Sequence, residues 1–281
     1  MSGRKVLIAG YGDLGQRMSI PLTDMGYQVW GLNRNPSNIS PPVIPLEGDL
    51  TAPYLQEILP PDIDLFIYLA TPSSREETAY RKTYIDGLSN LLRVLHESPH
   101  PIERFLFSSS TSVYGQNRGE WIDEESETSP SNFRGKILIE AESRVRQSPL
   151  PGQIARIGGL YGLNPPRWLL HHEKPTICPE PFNPSFTNRI HRDDAATALV
   201  HLLTRPLDRS TYLLVDCQPT QAGEIDRWVR LQKDLPQAAP TPQNTGKSGK
   251  RCSNRRLLES GFRFRYPTYR EGALNWPALL C

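Results

Sequence analysis

The stretch from Val6 to Gly15 reads VLIAGYGDLG and decides the fold of this chain. A short apolar run leads into GYGDLG, which has the pattern GxGxxG, and a helical pattern follows it. In such a strand–turn–helix unit the first glycine permits a tight turn and the second lets a pyrophosphate approach the backbone. The third lets the helix pack closely on the strand, and the first helix amides face the phosphates. We therefore predict that a dinucleotide is bound by Gly10, Gly12, Asp13, Leu14 and Gly15.

Short apolar runs alternate with longer helical patterns from this turn to about residue 157. The predicted strands are Lys5–Ala9, Tyr27–Leu32, Val43–Pro45, Leu65–Ala70, Arg104–Ser108 and Gln153–Ile157. The predicted helices are Asp13–Met25, Thr51–Leu59, Glu76–Glu97 and Ser131–Arg146. Such alternation is typical of a parallel sheet that is joined by right-handed crossovers and covered by helices on both faces. The predicted fold class is α/β, a doubly wound parallel sheet of the Rossmann type.

The pattern changes after about residue 158. Six prolines between Pro165 and Pro184 exclude a continuous helix there, and Pro236–Lys250 has the composition of an exposed loop. Between these stretches we predict a helix over Arg192–Leu203, a strand over Thr211–Val215 and a helix around Ala222–Lys233. We expect a dinucleotide-binding domain over residues 1–158. A small C-terminal substrate lobe over residues 159–281, with interleaved returns to the main domain, would pack over the carboxyl edge of the sheet.

The composition narrows the class of protein. Lys and Arg number 32 against 30 Asp and Glu, so no strong field attracts nucleic acid. No apolar run reaches the length of a membrane span, and Val6–Ala9 is too short for the core of a signal peptide. We therefore expect a cytoplasmic protein with no nucleic-acid or membrane partner. Neither a metal site nor a disulfide framework is expected, because no CxxC pair occurs among Cys178, Cys217, Cys252 and Cys281.

The end of the second strand predicts the choice of cofactor. Enzymes that use NAD usually carry an acidic residue there, which accepts the ribose hydroxyls. In this chain Asn33 takes that position and Arg34 follows it. A carboxylate would repel a 2′-phosphate, whereas a guanidinium can bind one through two charge-assisted hydrogen bonds. The pattern favours NADP over NAD.

The ends of the next two strands extend this predicted site. Asp49 and Leu50 end the third strand, where an adenine amino group could bind. Leu69, Ala70 and Thr71 end the fourth strand, and their small size would let the cofactor pass.

Motifs in order along most of the chain resemble the extended short-chain dehydrogenase/reductase family, of the sugar-nucleotide epimerase and dehydratase type. The glycine turn and Gly48-Asp49-Leu50 are the first two. Gly87–Leu92 is similar to the family's GTxNLL, and Ser108–Gly115 to its active-site strand end. Arg156–Gly162 is similar to RxxxxYG, and Asn188–Ala195 to NxIHxxDxA. The resemblance implies a small-molecule substrate, a structural role for His191, and pairing of two copies through the helices Glu76–Glu97 and Ser131–Arg146.

The resemblance also implies a proton relay beside the cofactor. In the family a Ser or Thr, a Tyr and a Lys four residues after the Tyr transfer the proton that accompanies hydride transfer. The serine corresponds to Ser110, and Ser112 would face the substrate. Tyr84 stands where the family has a helix asparagine that helps to order this relay.

The tyrosine and lysine of that relay are missing. The segment Ser131–Glu142 contains no tyrosine. One alignment puts Arg134 at the tyrosine and Leu138 at the lysine, and a second, based on Lys136, puts Asn132 at the tyrosine. A guanidinium stays charged and cannot donate a proton, so Lys136, Tyr114, the substrate or water are the candidate donors. The pattern is closest to the atypical branch of the family.

Two functions follow as hypotheses. The first is an NADP-dependent oxidoreductase or epimerase-like enzyme, which acts on a small carbonyl or hydroxyl compound or a sugar nucleotide. The second is a non-catalytic NADP-binding protein with a regulatory or redox-sensing role, motivated by the missing tyrosine and lysine.

Overall fold

The fold is described from a computed structural model, which covers residues 3–162, 183–206, 210–232 and 248–273. The strands are β1 (Lys5–Ala9), β2 (Gln28–Asn33), β3 (Ile44–Glu47), β4 (Leu65–Tyr68), β5 (Arg104–Ser110), β6 (Trp121–Ile122), β7 (Gly152–Ile157), β8 (Gly159–Tyr161), β9 (Phe186–Thr187), β10 (Arg189–His191), β11 (Thr211–Leu214), β12 (Thr220–Gln221) and β13 (Arg251–Cys252). The helices are α1 (Asp13–Asp24), α2 (Leu55–Ile58), α3 (Glu77–Arg81), α4 (Leu88–Glu97), α5 (Phe133–Gln147), α6 (Arg192–Thr204), α7 (Ala222–Gln232), α8 (Arg255–Glu259) and α9 (Tyr269–Ala273).

Seven strands form the central sheet in the order β11-β7-β5-β4-β1-β2-β3. The pairs from β3 to β5 are parallel, with Val6 of β1 opposite Val29 of β2 and Leu65 of β4. At the other edge of the sheet the Ile154 amide donates to the Ser210 carbonyl, and the Gly158 amide donates to the Leu214 carbonyl. Donors and acceptors both advance by four residues in the same direction, so β7 and β11 are parallel as well. The predicted doubly wound parallel sheet is confirmed. Because β2 and β4 both neighbour β1, the strand order reverses there, which is where such sheets bind ligands.

Burial of the strands explains why helices cover both faces of the sheet. Successive side chains of a strand point to opposite faces, yet Val6, Leu7, Ile8 and Ala9 are all fully buried. All four residues of β4 are buried as well. Two faces of apolar side chains can leave water only when helices pack on both of them.

Most sequence-predicted boundaries agree with the structure to within two residues, and two helices differ for physical reasons. The predicted helix Thr51–Leu59 begins only at Leu55. The Asp49 carboxylate accepts hydrogen bonds from the amide and hydroxyl of Thr51, and this local turn competes with a helical start. The predicted helix Glu76–Glu97 is divided into α3 and α4 by a π-helical turn over Lys82–Gly87.

The chain folds into two compact units. The first comprises Met1–Gly115, Thr128–Arg156 and Ala196–Tyr212, and the second Gln116–Glu127, Ile157–Ala195 and Leu213–Cys281. The second unit contains three two-stranded sheets, β8 with β10, β9 with β12, and β6 with β13. Strands of two or three residues are too short to show a period in the sequence, so none of them was predicted.

Some sequence predictions fall outside the described residues. Most of the proline-rich stretch from Pro165 to Pro184 and most of the loop Pro236–Lys250 lie outside the described residues. Cys178 and Cys281 lie outside them as well. Cys217 is exposed, Cys252 is buried, and both are free thiols. Among the helices of the described ranges, none has the length and apolar character that a membrane crossing requires.

Candidate functional site

The glycine turn between β1 and α1 has the geometry of a phosphate cradle. Gly10 has a φ of +90°, and a Cβ placed on it would lie 2.4 Å from the backbone of Ala70 at the end of β4. Only glycine therefore fits at this crossing. Gly12 caps the start of α1 with a φ of −111°, and a Cβ placed there would meet no atom within 4 Å. The Gly12 amide donates to the Gly10 carbonyl at 2.9 Å, whereas the side-chain face of Gly12 is open to a pyrophosphate at the amino end of a twelve-residue helix.

Tyr11 fills the space that two glycines leave beneath this turn. A Cβ on Gly15 would lie 3.1 Å from the Tyr11 ring, and one on Gly31 would lie 2.9 Å from it. The hydroxyl of Tyr11 lies 2.9 Å from the Ser19 hydroxyl on α1. This is the close approach of helix and strand for which the pattern needs its third glycine. The next two predicted cofactor residues lie in the first turn of α1. Asp13 pairs with Arg17, and Leu14 is half-buried.

The end of β2 lies directly against the glycine turn. The side-chain amide of Asn33 donates to the Tyr11 carbonyl at 3.1 Å, so Asn33 fixes the turn as well as bordering it. Within the described part of the chain, no hydrogen bond engages the Asn33 Oδ1, which can therefore face a ribose hydroxyl. Arg34 follows it and is exposed.

Asp49 is held as an ionised acceptor at the end of the third strand. Burial opposes its ionisation, but hydrogen bonds from Thr51 and the charges of Lys82 and Arg34 hold the pKa of Asp49 below its usual value. The Lys82 ammonium lies 3.7 Å from the Asp49 Oδ2. Sequence patterns do not reveal Lys82, because its contact with residue 49 leaves no trace in local periodicity.

The motif around residue 90 explains how this loop is held. The Asn90 side-chain amide on α4 donates to the carbonyls of Leu50 and Ala52, at 2.9 and 2.8 Å. The backbone after β3 is therefore fixed by the helix that follows β4.

The predicted cofactor residues after β4 join the same cluster. The amide of Leu69 donates to the Ala9 carbonyl at 2.8 Å, and Ala70 lies beside Gly10. Leu69 is buried, Ala70 half-buried and Thr71 exposed. The ends of β1, β2 and β4 therefore meet at one edge of the sheet.

The end of β5 adds a run of serines to this edge. Ser108 donates to the Tyr68 carbonyl of β4 at 2.8 Å, and Ser109 donates to the buried Glu142 carboxylate at 2.7 Å. Ser110 ends the strand, and its hydroxyl oxygen accepts the Ser112 amide at 3.2 Å. Ser110 and Ser112 are half-buried, so their hydroxyls remain within reach of a ligand.

The hydroxyl of Tyr114 is engaged inside the protein. Tyr114 is buried, and Arg156 donates to its hydroxyl at 2.6 Å. Arg156 also holds both carboxylate oxygens of Glu142, at 2.9 and 2.6 Å. Burial opposes the ionisation of Glu142, but the bonds and charge of Arg156 outweigh it and hold the pKa of this carboxyl below its usual value. This arrangement disfavours Tyr114 as a proton donor to a substrate.

The first turn of α5 contains the positions that align with the family's missing tyrosine and lysine. Gly135 lies against the end of β5, where an added Cβ would be 2.5 Å from the Ser112 carbonyl oxygen. Lys136 is exposed to solvent, and Leu138 is buried. Arg134 is exposed, with its guanidinium carbon 5.8 Å from the ring centre of Tyr80. No sequence motif points to Tyr80, because it lies on α3, far from this segment in the chain.

Neither Tyr84 nor His191 offers accessible acid–base chemistry. Tyr84 is buried with its ring edge-on to Phe107, and burial raises its pKa well above the usual value. In the second unit His191 is buried between the rings of Tyr161 and Tyr266, and its Nδ1 accepts the Asp193 amide. No group of acidic, histidine or cysteine side chains within the described ranges could hold a metal ion.

Comparisons with known proteins agree with this architecture. The profile described as the NAD dependent epimerase/dehydratase family matches residues 6–136. Protein YeeZ of Escherichia coli strain K12 is 26% identical over 280 residues, which cover 94% of this chain and 97% of that protein.

Solved structures extend the match to the whole chain. A Methylobacillus flagellatus protein, assigned to the NAD-dependent epimerases/dehydratases, is 31% identical, covers 99% of this chain and 97% of its own, and has a TM-score of 0.80. The human epimerase family protein SDR39U1 (isoform 2), solved with NADPH, shares the fold with a TM-score of 0.75. It is 19% identical, covering 95% of this chain and 97% of its own. The glycine turn, the strand order and a whole-length match therefore establish that the chain belongs to the NAD-dependent epimerase/dehydratase family.

Proposed function

We propose that this chain binds NADP(H) and acts as an oxidoreductase or epimerase-like enzyme on a small carbonyl or hydroxyl compound or a sugar nucleotide. The observation that carries the proposal is the glycine turn. Gly10 is wedged against Ala70, whereas Gly12 faces open space at the start of a helix. A glycine kept only for packing would have neighbours, so the open one indicates a ligand. When bound, the nicotinamide supplies or accepts a hydride.

The adenosine end of the cofactor would be held by the ends of β2 and β3. Asn33 Oδ1 would accept a ribose hydroxyl, and the ionised Asp49 would accept the adenine amino group. The exposed Arg34 would bind a 2′-phosphate. Because Asn33 brings no negative charge to this end of the site, nothing at that position repels the phosphate.

The reacting end of the site would be formed by the end of β5. The substrate oxygen would bind beside Ser110, with Ser112 next to it. The half-buried position of both residues at the end of β5 supports this assignment. The proposal gives no role in proton transfer to Tyr114, whose hydroxyl is engaged by Arg156, or to Lys136, which lies in solvent.

Calorimetry with the Arg34→Glu variant tests the choice of cofactor. A charge-assisted hydrogen bond contributes about 1.5–3 kcal/mol, so we expect this variant to bind NADP about 10- to 100-fold more weakly. Its affinity for NAD should stay within about threefold of wild type. Arg255→Glu, a change at a largely exposed arginine of the second unit, is the matched control. An unchanged ratio of the two affinities in Arg34→Glu would refute the assignment.

A non-catalytic role in sensing NADP is the second candidate function. The two residues that can align with the family's lysine favour this role. Leu138 has no ammonium group, and Lys136 is exposed rather than buried. This role predicts tight NADPH binding and no hydride transfer to any of a broad panel of carbonyl compounds. Stereospecific transfer of deuterium from labelled NADPH to any substrate would exclude it. Under the enzyme hypothesis Ser110→Ala should lower that transfer at least about tenfold.

A further inference from the structure

Tyr80, in the last turn of α3, differs from three other tyrosines around the candidate site. The hydroxyls of those three are engaged by the protein: Tyr11 with Ser19, Tyr68 with the Thr83 carbonyl and Tyr114 with Arg156. Tyr80 is partly exposed, and no hydrogen bond from a residue in the described ranges reaches its hydroxyl. A phenol that is held in position through its ring, while its hydroxyl has no protein partner, is available to a ligand.

The ring of Tyr80 is fixed by the helix that should have carried the missing tyrosine. Phe133, the first residue of α5, meets the ring edge-on with 5.6 Å between the centroids. The guanidinium of Arg134 lies over the same ring at 5.8 Å. Tyr84, one helical turn along, packs on it with its ring tilted, at 5.7 Å between the centroids. Three contacts on one aromatic ring leave it little rotational freedom.

The same turn of α5 connects Tyr80 to the serines at the end of β5. Gly135 follows Arg134 directly, and its missing side chain lets the turn approach the Ser112 carbonyl. Ser112 in turn donates its amide to Ser110. Tyr80 and the serines at the end of β5 therefore both adjoin the first turn of α5, where the family resemblance predicts a tyrosine.

We propose that Tyr80 supplies the phenol that the first turn of α5 lacks and donates the proton to the substrate oxygen. The assignment rests on the proposed function and deepens it. In the reductive direction the carbonyl carbon of the substrate accepts a hydride from NADPH, which becomes NADP⁺. The carbonyl oxygen takes the proton of Tyr80, so that an O–H bond forms on the product as the phenol O–H bond breaks. Water then returns a proton to the phenolate.

Arg134 acts on this step as a positioning residue. Its guanidinium carbon lies 5.8 Å from the centre of the Tyr80 ring and helps to hold that ring against the first turn of α5.

Fluorine NMR tests the location of Tyr80 without a known substrate. Tyr80→3-fluorotyrosine and, as a control, Tyr27→3-fluorotyrosine would each be titrated with NADPH and with 2′,5′-ADP, which has the phosphorylated adenosine end but no nicotinamide. Tyr27 is the matched control because it is also half-buried and directly precedes β2. It therefore lies at the amino ends of the parallel strands, whereas the candidate site lies at their carboxyl ends. We expect NADPH alone to shift the signal at position 80, and neither ligand to shift that at position 27.

The outcomes distinguish this assignment from the proposed function. If calorimetry shows that NADPH binds while the signal at position 80 does not move, Tyr80 is not beside the nicotinamide and the assignment is wrong. If neither nucleotide binds, the proposed function fails and the assignment falls with it.

Kinetics test the role of the phenol itself. NADPH oxidation would be followed with 4-nitrobenzaldehyde, methylglyoxal and 9,10-phenanthrenequinone. Tyr80→Phe should lower kcat about 100-fold or more while NADPH affinity stays within twofold. Arg134→Met should lower kcat with little change in KM, and Tyr27→Phe should change neither. Full activity of Tyr80→Phe on any of these compounds would overturn the assignment.

Discussion

Replacing Gly12 with alanine separates the ligand-binding role of the glycine turn from its structural role. The backbone of Gly12 is extended at φ −111°, which any residue adopts, and its added Cβ would meet no protein atom within 4 Å. We therefore expect the unfolding free energy of Gly12→Ala to stay within about 0.5 kcal/mol of wild type. The same methyl group would occupy the space through which a pyrophosphate approaches the backbone. NADP affinity should fall at least about tenfold, or about 1.4 kcal/mol.

Gly10→Ala is the comparison, because we expect it to lower the stability of the fold. The φ of +90° disfavours an alanine by about 1–2 kcal/mol, and its Cβ would lie 2.4 Å from backbone atoms of Ala70 that cannot rotate away. Overpacking of this kind costs about 1–3 kcal/mol. The melting temperature should therefore fall by roughly 4–20 °C, at about 2–4 °C for each kcal/mol.

Differential scanning fluorimetry and calorimetry with NADP decide between these expectations. A Gly12→Ala protein that melts like wild type and binds NADP with unchanged affinity would refute the view that this turn is a phosphate cradle. A Gly10→Ala protein as stable as wild type would refute the geometry of the crossing between β1 and β4.

Two further predictions concern buried charges. Arg156→Met leaves the Glu142 carboxylate buried with Arg146 as its one cationic partner among the described residues, so we expect a loss of about 3–5 kcal/mol in urea unfolding. Glu140→Gln, at a more exposed pair on the same helix, should cost less than about 1 kcal/mol, and equal losses would contradict this account. Burial raises the pKa of Asp216 to about 7, above its usual value near 3.8, although the Gln218 amide and Arg189 oppose the shift. The folded state therefore holds a proton that the unfolded state has lost, and this contribution to stability should disappear as the pH rises from about 4 to above 7. Asp216→Asn should gain stability relative to wild type between pH 5 and pH 8, and a gap that stays constant over that range would show that Asp216 is ionised throughout.

The fold could be predicted from the sequence because its strands are buried on both faces. Continuous apolar runs such as Leu65–Tyr68 identify strands without any help from alternation, and a helical pattern between each pair fixes the parallel connection. The failures arose where a side chain overrode the local pattern. Asp49 turned the residues after it away from a helix, and the Tyr68 hydroxyl donates to the Thr83 carbonyl inside the π-helical turn.

The candidate site could be predicted only where its residues follow one another in the chain. The glycine turn, Asn33 and Ser110 lie in motifs whose spacing carries their chemistry. Lys82 near Asp49 and Arg156 against Glu142 are contacts across long stretches of chain, and no local pattern encodes which distant charge meets which. Tyr80 belongs to the same class, since its partners on α5 lie more than fifty residues further along the chain.

The family's fold can persist without its usual proton donor because the residues that pack α5 against the sheet differ from those that would carry the acid–base chemistry. Gly135 and Pro130 set how closely the helix approaches the end of β5, and Ile137, Leu138 and Ala141 bury its inner face. Position 134 is exposed and takes no part in that packing. A substitution at position 134 can therefore leave this core unchanged. A family match built on glycines and buried strands identifies the cofactor scaffold, while the acid–base chemistry depends on side chains that the scaffold does not constrain.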